Sequence, residues 1–243
     1  GQPWNPDHRR IGFLRLDPDG NQLDFCKVYQ DSVWIFNSRK PGSFLKVQSN
    51  DGYAMVLFRS KWVPEGRWDV GWLMRLDGNL DTLWTRTYSD TPPHDSSVAL
   101  QNFRELADGG FIIAAGYAAV AGGEDWRIRL MRTDSLGNLI WSKYFGSGHT
   151  DYLAFDVTAT SDGGYAVSAA KMPYNTTTND NDPIVIKTDS LGNQQWEKRL
   201  GNPLCCEEQA FIDTAADGNM VVGATWSDSC DQYGDYFSRV NLV

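Results

Sequence analysis

The sequence predicts an all-β protein, a β-propeller of four-stranded blades. Three observations carry this reading. The hexamer Thr-Asp-Ser-Leu-Gly-Asn occurs at 133–138 and again at 188–193. A second motif, Asp-Gly followed by an apolar run, places Asp51, Asp108, Asp162 and Asp217 about 55 residues apart, in the range of propeller blades. No useful stretch has the 3.6-residue apolar period of a helix.

The third period shows how one unit reads. Ala154–Thr160 alternates in the β manner and is strand A. Ser161–Gly164 is a tight turn in which glycine supplies the positive φ. Tyr165–Ala170 is strand B. A longer loop leads to strand C at Pro183–Asp189, a second tight turn follows, and Gln194–Leu200 is strand D. The repeated hexamer is therefore the C–D turn. Weaker copies lie at Leu14–Tyr29 and Leu73–Tyr88. Trp84, Trp141 and Trp196, with Phe25 in the first copy, are read as one strand-D position that packs between neighbouring blades. The chain offers a C–D pair, three full A–B–C–D sets and a final A–B–C. Four blades closed by pairing the termini would leave one C strand spare. The expected count is four to five, with five favoured and one blade split or partial. Residues 1–243 form one domain, with 1–11 an N-terminal extension.

Composition narrows the work. Ordinary globular content, 41% hydrophobic and 22% charged, accompanies a heavy aromatic load of ten Trp, ten Tyr and eleven Phe. The net charge of −9 and the lack of a clustered basic patch disfavour nucleic acid and anionic membrane. No apolar run is long enough for a membrane-spanning helix, and the first ten residues do not read as a signal peptide. Four cysteines, Cys26, Cys205, Cys206 and Cys230, contain no C-x-x-C pair. Their even number points to two disulfides in an exported protein, with three connectivities open.

The pattern Asp-Gly-Gly-Tyr, apolar run, Lys-x-Asp-Ser-Leu-Gly-Asn-x-x-Trp-x-Lys resembles the propeller repeats of exported proteins from type IX-secreting bacteria. The resemblance covers nearly all the chain after residue 11. It implies a secreted or cell-surface location and an adhesin-like module of a larger chain or assembly. The usual C-terminal sorting domain is absent, which fits a fragment or a processed product.

In antiparallel blades the A–B and C–D turns share one face, and the B–C and D–A loops share the other. The second set is long and varied, so it is the expected binding face. It carries Trp34, Trp62, Trp68, Trp126, Tyr174, Trp226 and Tyr233, aromatics suited to stacking on sugars or anchoring a protein. His94 and His149 lie in D–A loops beside Asp95 and Asp151, without a third neutral metal ligand. Asp180 and Asp182 are a weak calcium candidate that lacks the spaced EF-hand pattern. No other cofactor is expected.

Glycoside hydrolases also use five-bladed propellers with paired carboxylates. Here Asp69, Asp125, Asp182 and Asp235 each precede strand C, a recurrence that reads as turn chemistry. Glu207 and Glu208 form a less regular pair, and Glu65 and Glu124 sit in loops. No general acid stands out. The leading expectation is a non-catalytic extracellular binding or scaffold module for a protein or glycan. The alternatives are a carbohydrate-active hydrolase using the same face and a structural subunit of a surface assembly.

Overall fold

A computed structural model describes residues 11–29, 35–37, 44–48, 51–63, 66–89, 96–118, 126–146, 150–173, 182–200, 206–227 and 239–242. These form eighteen strands in five antiparallel sheets. Sheet I pairs β1 (Ile11–Leu16) with β2 (Gln22–Tyr29). Sheet II holds β3 (Ile35–Asn37), β4 (Phe44–Val47), β5 (Gly52–Val63), β6 (Gly66–Asp77) and β7 (Thr82–Tyr88). Sheet III is β8 (Ser97–Glu105), β9 (Phe111–Ala118), β10 (Trp126–Thr133) and β11 (Leu139–Phe145). Sheet IV is β12 (Thr150–Ala159), β13 (Tyr165–Pro173), β14 (Asp182–Thr188) and β15 (Gln194–Arg199). Sheet V is β16 (Cys206–Thr214), β17 (Met220–Ser227) and β18 (Arg239–Leu242). The third period thus has the four strands expected, in the order A–B–C–D.

Successive sheets stack face to face, because the middle strands are apolar on both sides of their period-2 alternation. In β9, Ile113 and Ala115 pack toward sheet II, while Ile112 and Ala114 pack toward sheet IV. In β14, Ile184 and Ile186 face sheet III and Val185 faces sheet V. Met55, Leu57, Trp72 and Met74 of sheet II receive Phe13 of sheet I. Strand A of each later sheet rests on the middle strands of the sheet before it: β8 on β5 and β6, β12 on β9 and β10, β16 on β13 and β14.

The repeated turn is held by its first aspartate. The Asp134 carboxylate accepts the backbone N–H of Leu136 at 2.9 Å and of Asn138 at 2.8 Å, and the Asn138 side-chain amide at 2.8 Å. Asp189 repeats these bonds with Leu191 and Asn193, and Asp17 with Asp19 and Asn21. Asp77 keeps only the two backbone bonds, since Asp81 stands where the others have asparagine. That turn also places Leu80 at φ 65°, where the other copies use Gly20, Gly137 and Gly192. The left-handed backbone costs a leucine about 1–2 kcal/mol, which burial of its side chain against sheet I offsets.

Gly137 and Gly192 answer a second demand. A Cβ on Gly137 would lie 2.7 Å from the Trp84 ring of the preceding sheet, and one on Gly192 would lie 2.7 Å from Trp141. The strand-D tryptophans are thus the floor on which the next turn sits, as the packing expectation had it. Phe25 departs from that position. It pairs with Leu14, whereas Trp84, Trp141 and Trp196 pair with Arg75, Arg132 and Lys187. One extra residue after Asn21 sets Phe25 off register by one.

Arg132 reaches Asp108 of the A–B turn and the Thr133 carbonyl. Lys187 donates to both Asp162 oxygens at 3.0 and 2.8 Å and to the Thr188 carbonyl at 2.8 Å. Arg75 donates to the carbonyls of Tyr53 and Leu76. Arg132 and Lys187 thus tie an A–B turn to the end of strand C, whereas Arg75 ties the start of β5 to the end of β6.

Two predictions follow from these turns. Gly137→Ala combines backbone strain of about 1–2 kcal/mol with overpacking of about 1–3 kcal/mol. Gly163→Ala, whose Cβ would meet nothing within 4 Å, carries only the strain. Urea unfolding should show Gly137→Ala the more destabilised by at least about 1 kcal/mol. Hydrogen bonds hold Asp17, Asp134, Asp189 and Asp217 below the ordinary aspartate value of 3.8, and the Lys187 ammonium does so for Asp162. Their contribution is fully present above the unfolded value and is lost as pH falls through the folded ones. Melting temperature should drop between pH 5 and pH 3, and an unchanged melt at pH 3 would contradict this.

Candidate functional site

The innermost strands carry a polar seam. Asp156 on β12 is 3% exposed. One carboxylate oxygen accepts the Asn102 amide at 2.7 Å and the Val157 N–H at 2.8 Å; the other accepts the Ile212 N–H at 3.1 Å. Arg104 approaches both, at 3.2 and 3.3 Å. One side chain thereby joins sheets III, IV and V. A β-bulge between Ala154 and Asp156 puts it there, by breaking the alternation just before the aspartate. Burial pushes the Asp156 carboxyl above the usual aspartate range, against the pull of Arg104 and the two backbone donors. With this many donors in place its task is to clamp the sheets.

The same kind of bulge recurs in the other innermost strands. It falls between Leu100 and Asn102 in β8 and between Glu207 and Gln209 in β16. In sheet II the interruption is larger. Strand A is split into β3 and β4, both paired with β5. Ile35–Asn37 is thus a piece of strand, where the sequence reads as a D–A loop.

Among the described residues, parts of the expected binding face are strand. The β5–β6 ladder runs unbroken to Val63 opposite Gly66. Trp62 and Trp68 are therefore strand residues, paired with Arg67 and Lys61. The half-buried Trp68 ring has the Lys61 ammonium 4.6 Å from its centre. Trp126 opens β10, packs over Gly116, and its backbone N–H donates to the Asp151 carboxylate at 2.7 Å. Trp226 lies within β17 opposite Glu207. Long paired strands built from β-favouring residues replace the loops expected around these tryptophans. The side chains of Trp62, Trp226, Cys26, Cys206, Glu207 and Glu208 lie outside the described residues. So do Trp34, Tyr174, Tyr233, Cys205, Cys230, Asp180, Glu65, Glu124, Asp95, Asp125, Asp235, His8, His94 and His149 in full.

The two described strand-C acids do not share one turn chemistry. Asp69 is buried within β6, accepts the Ser60 hydroxyl, and its N–H donates to Ser97 Oγ of the next sheet at 3.3 Å. Asp182, the described half of the calcium candidate, is ion-paired with Arg199. Among the described residues no three His, Cys, Asp or Glu side chains gather to hold a metal.

Three acids share one end of the innermost strands. Asp151 lies at the start of β12. Glu207 and Glu208 lie at the start of β16, the neighbouring innermost strand, so all three stand at the same end of the sheets. Glu208 is the extra residue of the bulge. Sequence reasoning named these acids separately without placing them together. It missed Asp156, whose one signal is an aspartate in the middle of an otherwise apolar-alternating strand.

No family model and no curated protein matches the chain. Solved structures do. A thermostable family-43 glycoside hydrolase aligns with TM-score 0.50 and 13% identity, over 86% of this chain and 70% of that one. The endo-arabinase from Bacteroides thetaiotaomicron VPI-5482 aligns with TM-score 0.53 and 10% identity, over 97% and 94%. At these identities the likeness speaks for the fold and supports a β-propeller. It also corrects the leading expectation of a non-catalytic binding or scaffold module, because these structures of the same fold are of hydrolases. That expectation rested on acids read as turn chemistry and tryptophans read as loop residues; among the described residues, Asp69, Trp62, Trp68, Trp126 and Trp226 lie within strands instead.

Asp156→Ala should cost about 2–4 kcal/mol, since Arg104, Asn102 and two backbone N–H groups lose their acceptor. Chemical denaturation checks it; a loss under about 1 kcal/mol would show that the seam is not a clamp.

Proposed function

We propose that this chain is a carbohydrate-active hydrolase that cleaves a polysaccharide at the inner end of its sheets. The observation that carries the reading is the fold match to the endo-arabinase over nearly the full length of both chains. The placement of Asp151 and Glu208 at one end of adjacent innermost strands supports it. Glycosidic hydrolysis needs two carboxyl groups flanking the scissile bond. One protonates the departing glycosidic oxygen. The other activates water or attacks the anomeric carbon. We assign these two tasks to Asp151 and Glu208, and Trp126, whose backbone N–H fixes Asp151, to the positioning of that acid. The half-buried Trp68 is placed to stack on a sugar ring. A polysaccharide does not cross membranes, so this reading agrees with the export that the repeat resemblance implies, and the partner is a glycan outside the cell.

Release of reducing ends from arabinan, alongside a panel of other plant and bacterial polysaccharides, tests this. Asp151→Asn and Glu208→Gln should each lower turnover at least about 100-fold while the melting temperature and glycan binding persist. Glycan binding with no release from any polysaccharide would sink the proposal, as would full activity in both variants.

A further inference from the structure

Three contacts dock each complete C–D hairpin into the stack. Its cation meets an A–B turn of the same sheet, as Lys187 meets Asp162 and Arg132 meets Asp108. Its turn glycine rests on the tryptophan of the sheet before, as Gly192 does on Trp141 and Gly137 on Trp84. Its apolar face toward that earlier sheet is buried, as with Ile186 and Met131.

The first hairpin and the last sheet each hold half of these contacts. In β1–β2, Arg15 stands at the cation position, but sheet I has no A–B turn. A Cβ on Gly20, at φ 85°, would meet nothing within 4 Å. Leu14 and Leu16 are 50% and 55% exposed. Sheet V has the A–B turn with Asp217, but among the described residues no strand-C cation reaches it. Trp196 of sheet IV is a strand-D tryptophan with no turn glycine over it among the described residues. Phe211 is 55% exposed and Val221 38%, on the face of sheet V turned away from sheet IV. In sheet II, Phe44, 45% exposed, stacks on Tyr53 at 5.2 Å and touches Phe13 at 5.7 Å.

We infer that β1–β2 is the outer half of the blade whose inner half is β16–β17. β1 takes the edge of β17 now held by β18, closing the ring within one chain. The register follows from the other sheets, where Lys187 lies opposite Ala166 and Arg132 opposite Ile112, each four residues after the turn aspartate. Arg15 then lies opposite Val221, beside Asp217, and Phe13 lies opposite Gly223, the place of Leu242. Gly20 comes down on Trp196. Leu14 faces sheet IV, while Phe211 and Val221 join Phe13 against Phe44 and Met55 of sheet II. β18 pairs with β17 at four positions, whereas the strand-C partner β14 pairs with β13 at seven. The displaced strand is the weaker of two claimants for one edge, and the ring has four complete blades with β18 left over. Closure also removes the open edge of β1.

Two measurements on the 243-residue chain test this. In a cysteine-free background, Arg15→Cys with Val221→Cys should form an intramolecular disulfide under mild oxidation, since directly opposed strand residues lie within disulfide reach. A chain ending at Gly234, without β18, should melt at or above the temperature of the parent. A cross-link that is absent or joins only separate molecules overturns the inference. So does a truncated chain that melts more than about 5 °C lower, a loss of roughly 1–2 kcal/mol at this size. Should the cysteine variant fail to fold, the truncation decides alone.

Discussion

Every feature of this molecule depends on sheets with no polar face. A sheet buried on one side can end a structure; a sheet buried on both must be followed by another. In β5, β9 and β13 successive residues face opposite neighbours and are apolar in both directions. Such strands propagate a stack until its first and last members are covered. Beyond the exposed outermost strands, most polar groups gather at the two ends of the strands and along the innermost edge. Turn chemistry, seam and candidate acids are all found in those places.

The two ends are built by different means. At the turn end, one arrangement is written repeatedly: aspartate over its own backbone, cation across to the A–B turn, glycine on tryptophan. Tyr88 adds to it, its buried hydroxyl donating to the Gly137 carbonyl at 2.8 Å. These contacts use backbone atoms, so they survive changes in the side chains around them. At the other end the contacts are particular to each sheet: Ser97 to the Asp69 backbone, Asp151 to the Trp126 backbone, Arg199 to Asp182. Regularity at one end frees the other to differ.

Much of the fold was legible in the sequence for that reason. Turns that need a positive φ or an Asx geometry leave glycine and aspartate at fixed spacing, and the strands between them alternate or run apolar. Strands B, C and D of the third period lie where the residues place them. The bulges left no such mark, because inserting one residue into an innermost strand changes pairing without changing composition. The β5–β6 ribbon was misread as a loop since Pro64, Glu65 and Gly66 look like a break, while pairing continues to Val63 opposite Gly66. The site was least legible. Asp151 and Glu208 are nearly sixty residues apart in sequence, and only the stacking of one innermost strand beside the next brings them to one end.

The residue six places before the turn aspartate is Asn102, Asp156 and Phe211 in the last three copies, and each pairs with the residue six places after that aspartate. The repeats keep the turn aspartate, while this one position of the innermost strand has received an amide, an acid and a ring. A blade moved from one slot to another would keep its turns and lose its neighbours at the hub. The copies are interchangeable as architecture and unique as addresses, so the order of blades around the axis is itself part of what the sequence encodes.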